Sequence, residues 1–361
     1  MKKLLYISCH ITLESDELEM FNSLGFSSVV VGNFLEKGNP FHLRKDLPHS
    51  LPWSLHDWKE PNINRDEDLT KEFLAMNPSF HGVDANQNLN FTKEFLNKFD
   101  AIVVSNTIKY LQQVVTMSPK CPVFYCTAGQ TCPSFEGVFK RFRDFISIVR
   151  YAEGEEMVGN YAGADAFISC RISDDFLNQE WKGDIKEIMT VSRAMPIRPR
   201  ETSYQTFLEI AEPFGAKIFG SGNEAVAKKY NGGQLPYNLL LESYSRYRAF
   251  IATGTHPSPM VYTFLEALGA GTPTICLGPK LARRYMQHNN LYALDRHITN
   301  GVNGFKSDDI REIQGYVKQL LADDKLCKTL SENGKNYVRD NFSTPVITNK
   351  WKALFEEKGA L

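Results

Sequence analysis

The sequence predicts an α/β protein made of two doubly wound domains facing across a cleft. Three observations predict it. Short apolar runs rich in Val and Ile alternate with stretches of helical period along most of the chain, the pattern of a parallel sheet covered by helices on both faces. One such series ends before residue 180 and a second opens near residue 185. The chain has 361 residues, which suits two domains at roughly 100–200 residues each.

The first series opens with a buried strand at 4–9. Ser15 precedes an amphipathic run carrying Leu18, Phe21 and Leu24 and ended by Gly25, which reads as a capped helix. Residues 28–31 hold three β-branched valines and are closed by Gly32, a second strand. From about 34 to 90 Pro, His and Trp accumulate and the period weakens. That stretch reads as an irregular insertion with some helix, as at 69–76. The alternation resumes with a helix at 91–99, a strand at 101–105, a helix at 108–115, and strands at 123–127 and 146–151.

The second series runs strand 188–191, helix 203–214, strand 216–219, helix 239–245, strand 249–252, helix 261–270 and strand 274–277. Helices at 309–321, 325–340 and 345–358 close the chain. Five strands are legible before residue 180 and four after it.

Composition narrows the class of partner. Hydrophobic residues make up 42% and charged residues 23%, with a formal charge of −1. This is ordinary for a soluble globular protein and argues against a dedicated polybasic binder of nucleic acid or membrane. Seven cysteines, an odd number with no Cys-x-x-Cys pair, suit a reducing compartment better than a disulfide framework or a zinc site. The apolar run at 4–7 is too short for a signal peptide, and no window reaches the ~20 apolar residues of a membrane span. The expectation is a cytoplasmic protein.

The most informative stretch is 250–277. A strand leads into Thr253-Gly-Thr-His-Pro-Ser-Pro259, then a helix carrying Glu266, then Gly269-Ala-Gly-Thr-Pro273 and a strand. Free amides at a helix start, together with the positive end of its dipole, bind phosphate. Ser258 reads as the N-cap of that helix or as a hydroxyl donor to the anion. Glu266 lies about two turns on, among Phe264, Leu265, Ala267 and Leu268, where a carboxylate can accept both hydroxyls of a ribose.

Residues 264–275, Phe-Leu-Glu-Ala-Leu-Gly-Ala-Gly-Thr-Pro-Thr-Ile, resemble the donor-site signature of GT-B nucleotide-sugar glycosyltransferases, the family-4 retaining group in particular. The resemblance implies two Rossmann-like domains with the active site in the cleft between them. It implies transfer of a sugar from a nucleoside-diphosphate donor, with retention of anomeric configuration and no cofactor or metal. Glu266 corresponds to the glutamate that binds the donor ribose, and Ser258, Pro259, Met260 and Val261 to the loop whose amides hold the diphosphate. His256 in the same loop is a further donor candidate. The family usually carries a second glutamate eight residues before the first, and here that position is Ser258. The manner of holding the sugar is therefore open, and with it which sugar is used.

Other stretches agree with the resemblance. A strand followed by one basic residue and another about five further on matches Arg193 and Arg198, with Arg200 as a competitor. Guanidinium groups neutralise two phosphates with fixed fork geometry. Gly220 and Gly222 follow a strand, as a glycine turn does in the family. Gln234, Leu235 and Pro236 sit where the family's base-contacting loop lies. Asn300-Gly-Val-Asn-Gly-Phe305 resembles a late turn of the family. The match covers about 187–361. The implied division is 1–185 for the acceptor-side domain, 186–344 for the nucleotide-sugar domain, and 345–361 for a helix crossing back to the first.

Ligands of doubly wound sheets bind at the carboxyl ends of strands. On the acceptor side this makes His10, Gln130 and Arg150 candidates, with His10 and Glu17 suited to acceptor contact or proton handling and Arg193 to the leaving phosphate. The acceptor is open among a glycan, a lipid-linked saccharide, a protein and a modified nucleic-acid base.

Rival readings remain. An epimerase or hydrolase on the same fold would use the same nucleotide sugar. Gly220-x-Gly222-x-x-Ala225 matches the dinucleotide fingerprint, but the acid at the right spacing, Glu242, lies in a helical stretch, so a NAD-dependent enzyme ranks below. Asp66-Glu-Asp68 matches an Asp-x-Asp metal motif, yet reads as the acid-rich start of a helix. The basic cluster at 140–143 reads as a solvated helix face.

Overall fold

The computed structural model describes residues 1–9, 11–32, 63–80, 88–286 and 290–361. His10 and most of the expected insertion (34–62 and 81–87) lie outside the described residues.

Two six-stranded parallel sheets form the framework. The first holds β1 (Lys2–Ser8), β2 (Phe26–Val31), β3 (Ala101–Ser105), β4 (Val123–Cys126), β5 (Ser147–Arg150) and β6 (Ala166–Phe167), in the order β2-β1-β3-β4-β5-β6. The second holds β7 (Ile185–Val191), β8 (Ala216–Phe219), β9 (Asn231–Gly233), β10 (Tyr247–Ala252), β11 (Thr274–Leu277) and β12 (Phe305–Ser307), in the order β12-β11-β10-β7-β8-β9. That second order is the dinucleotide-fold order of a Rossmann domain, and the direction of winding reverses between β7 and β10. In the first sheet the reversal lies between β1 and β3.

The sheets are covered on both faces because their strands alternate apolar residues in both directions. Leu5, Ile7, Val29, Val31, Ile102 and Val104 pack into one cluster, while Leu4, Tyr6, Val30, Ala101 and Val103 pack into another. The second cluster is completed by the last helix, Thr344–Glu357, through Ile347, Trp351, Leu354 and Phe355. Phe355 meets Phe21, Phe26 and Phe124 edge to face at 5.0–5.4 Å between centroids. The chain therefore leaves the first unit before β7 and returns to it at its last helix. The two crossing segments touch where Ile172 N donates to Phe342 O at 2.7 Å.

Nine of the twelve strands among the described residues coincide with expected ones. The other three, β6, β9 and β12, are two or three residues long and all lie at sheet edges. The first helix, Ile11–Ser23, begins upstream of the expected cap Ser15. Asp66 caps the helix Glu67–Met76 by accepting from Leu69 N at 3.0 Å, the role expected for an acid at a helix start. Among the described residues no helix is long and apolar enough to cross a membrane.

Candidate active site

The reversal between β7 and β10 puts their carboxyl-end loops side by side, where open α/β sheets bind ligands. The loop after β7 carries Arg193 and Arg198. Arg193 is exposed and Arg198 half-buried. Arg198 Nη2 donates to Arg193 O at 2.8 Å, and neither side chain forms an ion pair among the described residues. Burial first, and then the like charge of Arg198, push the Arg193 guanidinium below its usual pKa. Two cations held this close without a carboxylate are a place for an anion. Arg200 is also exposed.

Gly220 and Gly222 hold that loop up. Gly220 has φ +122°, and a Cβ there would stand 2.6 Å from Ser192 O. Gly222 has φ +74°, and its Cβ would meet Ala194 at 3.0 Å. Asn223 stitches the two loops, donating to Ser192 O at 2.8 Å and Gly220 O at 2.9 Å and accepting from Met195 N at 2.9 Å. These glycines follow β8, the second strand of the unit, whereas a dinucleotide fingerprint belongs on the first. Their freedom serves the close approach of the Arg193 loop.

The loop after β10 leads into the helix Tyr262–Gly269. Its N-cap is Val261, with no side chain capping it, which corrects the expectation that Ser258 caps. The Ser258 hydroxyl instead donates to Met260 O at 2.7 Å inside the loop. Among the described residues nothing accepts from the amides of Tyr262 and Thr263, so the positive end of the helix stays open to an anion. Pro259 and Met260 are buried. His256 is buried too, bridging Ser203 Oγ and Asn290 Oδ1 at 3.1 Å each. Burial lowers its pKa to about 4, so it is a neutral brace at neutral pH.

Glu266 is buried on the same helix, and Tyr244 donates its phenol to Glu266 Oε2 at 2.9 Å. Burial chiefly, with the charge of Asp16 adding and the Tyr244 bond opposing, raises its pKa to about 7. Gln234, Leu235 and Pro236 link edge strand β9 to the next helix, Tyr237–Arg246, with Gln234 and Pro236 exposed and Leu235 against the core.

The first unit meets this loop at close range. A Cβ on Gly129 would lie 2.8 Å from Ser258 Oγ, and one on Gly154 would lie 2.7 Å from Pro259 Cβ. Ser169 donates to Met260 Sδ at 3.7 Å. The loop of residues 257–262 thus packs directly against the first unit.

No family model matches the chain, and no curated protein matches it by sequence. Solved structures match over nearly its whole length. Sucrose-phosphate synthase from Thermosynechococcus elongatus superposes with a TM-score of 0.63 at 12% identity, covering 99% of both chains. Anabaena HepE in complex with UDP gives 0.66 at 12% identity, covering 99% of this chain and 100% of that one. An α-glucosyltransferase in complex with UDP and a 13-mer DNA with a central A:G mismatch gives 0.61 at 11% identity, covering 99% and 100%. The chain has the GT-B fold. At these identities the likeness is one of architecture.

Within the GT-B frame the acceptor-side candidates separate. Glu17 lines a small pocket with Leu13, Ala128, Tyr151, Ser169 and Cys170. It accepts from the Tyr6 phenol at 2.5 Å, and burial above all raises its pKa to about 7. Gln130 is exposed at the rim and accepts from Asn106 Nδ2 at 3.3 Å.

Arg150 does not face the cleft. It is fully buried, donates to Glu136 Oε1 and Oε2 at 2.7 and 2.8 Å and to Gly163 O at 2.7 Å, and lies over Tyr161. It is a structural ion pair under the helix Pro133–Arg141.

Sequence reasoning missed Tyr244 as the partner of Glu266, and it missed the contact of Tyr262 with Asp16 (phenol to Oδ2, 3.1 Å). Both join residues far apart in the chain, with no local signal.

Proposed function

We propose that this protein is a glycosyltransferase that moves a sugar from a nucleoside-diphosphate donor, UDP-linked in the first instance, to an acceptor on the first unit, with retention of configuration. The observation that carries it is the convergence, at one topological switch point, of Arg193 and Arg198, which form no ion pair among the described residues, the start of the helix Tyr262–Gly269 without a side-chain cap, and the buried carboxyl of Glu266. A diphosphate, a ribose and their connection need that combination. Relatives in fold that were solved with UDP support the choice of nucleotide.

In this reading the guanidinium groups and helix amides compensate the charge that grows on the leaving diphosphate as the glycosidic bond breaks. The compensating charge comes from the chain itself, so no cofactor beyond the nucleotide sugar is called for. The acceptor hydroxyl attacks from the same face, and the leaving phosphate takes its proton. Glu266, when ionised, accepts the ribose hydroxyls. Glu17 and Gln130 lie on the acceptor side. The reading divides the chain into an acceptor unit, 1–185, a donor unit, 186–344, and a returning helix, and cysteine usage supports a cytoplasmic setting.

A thermal-shift panel of nucleoside diphosphates, nucleotide sugars and NAD(H) tests it, since a ligand that binds only the folded state raises its stability. UDP or another nucleoside diphosphate should stabilise the protein and NAD(H) should not. Stabilisation by NAD(H) alone would overturn the reading. Release of UDP from a UDP-sugar without any acceptor at the full rate would replace transfer by hydrolysis.

A further inference from the structure

Asp16 sits on the first helix, Ile11–Ser23, and divides its two oxygens between the two units of the protein. Oδ2 accepts from the phenol of Tyr262, the first residue of the helix Tyr262–Gly269. Oδ1 faces Arg171 Nη2 at 3.3 Å. Arg171 also pairs with Glu19 at 2.5 Å and donates from Nη1 to Thr344 Oγ1 at 3.1 Å. It stands next to Ile172, where the outgoing and returning segments cross. One chain of contacts therefore runs from the crossing point of the two connections, through Arg171 and Asp16, to the helix start whose amides Tyr262 and Thr263 donate to nothing among the described residues.

We propose that Asp16, braced by Arg171, is a positioning residue that fixes the amino end of the helix Tyr262–Gly269 through Tyr262, so that its amides are aimed at the diphosphate. This rests on the donor reading above. An amide rotated off its phosphate oxygen loses a hydrogen bond of steep angular dependence. The second unit alone does not fix the side chain of Tyr262, because its phenolic hydrogen bond crosses to the first unit. A glutamate or serine at 16 would not serve equally: one overshoots the phenol by a methylene, and the other removes the charge that Arg171 holds.

Calorimetry of UDP and uridine against variants decides the matter. Tyr262→Phe and Asp16→Ala should each weaken UDP binding about tenfold, the size expected for one hydrogen bond to a charged group. The double variant should be no weaker than either single one, since both cut the same chain of contacts. Asp16→Asn keeps an oxygen for the phenol but loses the charge that Arg171 holds, and should recover part of the loss. Uridine, which has no phosphate, should bind all four variants as it binds the wild type. UDP affinity within twofold of wild type in Tyr262→Phe and Asp16→Ala would overturn the proposal, as would a parallel loss for uridine. A wild-type protein that binds no nucleoside diphosphate would instead overturn the donor reading, and the proposal with it.

Discussion

Tyr244 donates its phenolic hydrogen to Oε2 of Glu266 at 2.9 Å, and among the described residues Oε1 accepts no hydrogen bond. The carboxyl is thus oriented by one partner and keeps acceptor capacity for another. Its pKa lies at about 7, raised first by burial. A ribose hydroxyl binds the ionised form better, so binding lowers that pKa and releases a proton. UDP affinity should therefore rise as pH increases from about 6 to about 8 and then level. Calorimetry in two buffers of different ionisation enthalpy reads the released proton. In Glu266→Gln the component from this carboxyl disappears, leaving that of the ligand's own phosphate, and affinity at pH 8 falls by about tenfold or more.

Arg193 and Arg198 should act on the phosphates and not on the base. Arg193→Ala and Arg198→Ala each remove a charge-assisted contact of about 1.5–3 kcal/mol, so UDP should bind roughly ten- to a hundredfold more weakly. Uridine should be unaffected. Equal losses for both ligands, measured by calorimetry, would contradict the assignment.

Gly220→Ala tests whether the glycine turn serves the Arg193 loop. At φ +122° with Ser192 O 2.6 Å from the new Cβ, the variant must shift one loop or the other. Stability should drop by about 1–2 kcal/mol or more, and UDP affinity should drop with it. A variant of wild-type affinity would show that the loop geometry does not matter for donor binding.

Arg150 predicts a loss of stability without a specific loss of binding. Arg150→Met leaves the fully buried Glu136 without its cation, at a cost of about 3–5 kcal/mol. The melting temperature should fall by several degrees. UDP affinity of the remaining folded protein, measured well below that temperature, should stay within about twofold, the precision such a comparison needs to separate a structural from a ligand role.

Glu17 titrates in the opposite sense from an ion-paired carboxylate. Its folded pKa of about 7 stands above its ordinary 4.5, so the folded state holds the proton longer. Stability from this group is complete below about pH 4.5 and is lost as pH rises to about 7. Thermal melts of Glu17→Gln should lose that component, so the variant gains on the wild type between pH 4.5 and 7. A gap between the two proteins that does not change with pH would contradict it.

What could be read in advance was what local pattern encodes. The long central strands were legible because both faces are buried, which writes continuous apolar runs such as Ala101–Ser105 and Thr274–Leu277. The short edge strands β6, β9 and β12 were not, because two or three residues are too few to show a period. Glu266 and Arg193 stood out through short motifs. Arg150 misled because its place at the end of β5 suggests the cleft, whereas strand alternation puts it on the face of Ile148, under Phe139 and Glu136. The partnership of Asp16 with Tyr262 spans 246 residues, and only the closing of the two units brings them together.

The returning helix Thr344–Glu357 has a consequence for synthesis. Trp351 and Phe355 cover one face of a sheet whose strands are all translated within the first 167 residues. A ribosome that has finished those strands has made an apolar wall covered in part by the first helix, through Leu18 and Phe21, and the second sheet is built while the rest of the wall waits. Chaperone demand should therefore peak in the middle of translation and end with the last helix, and a chain stopped just short of residue 344 should be recovered as aggregate even though every strand of both sheets is present.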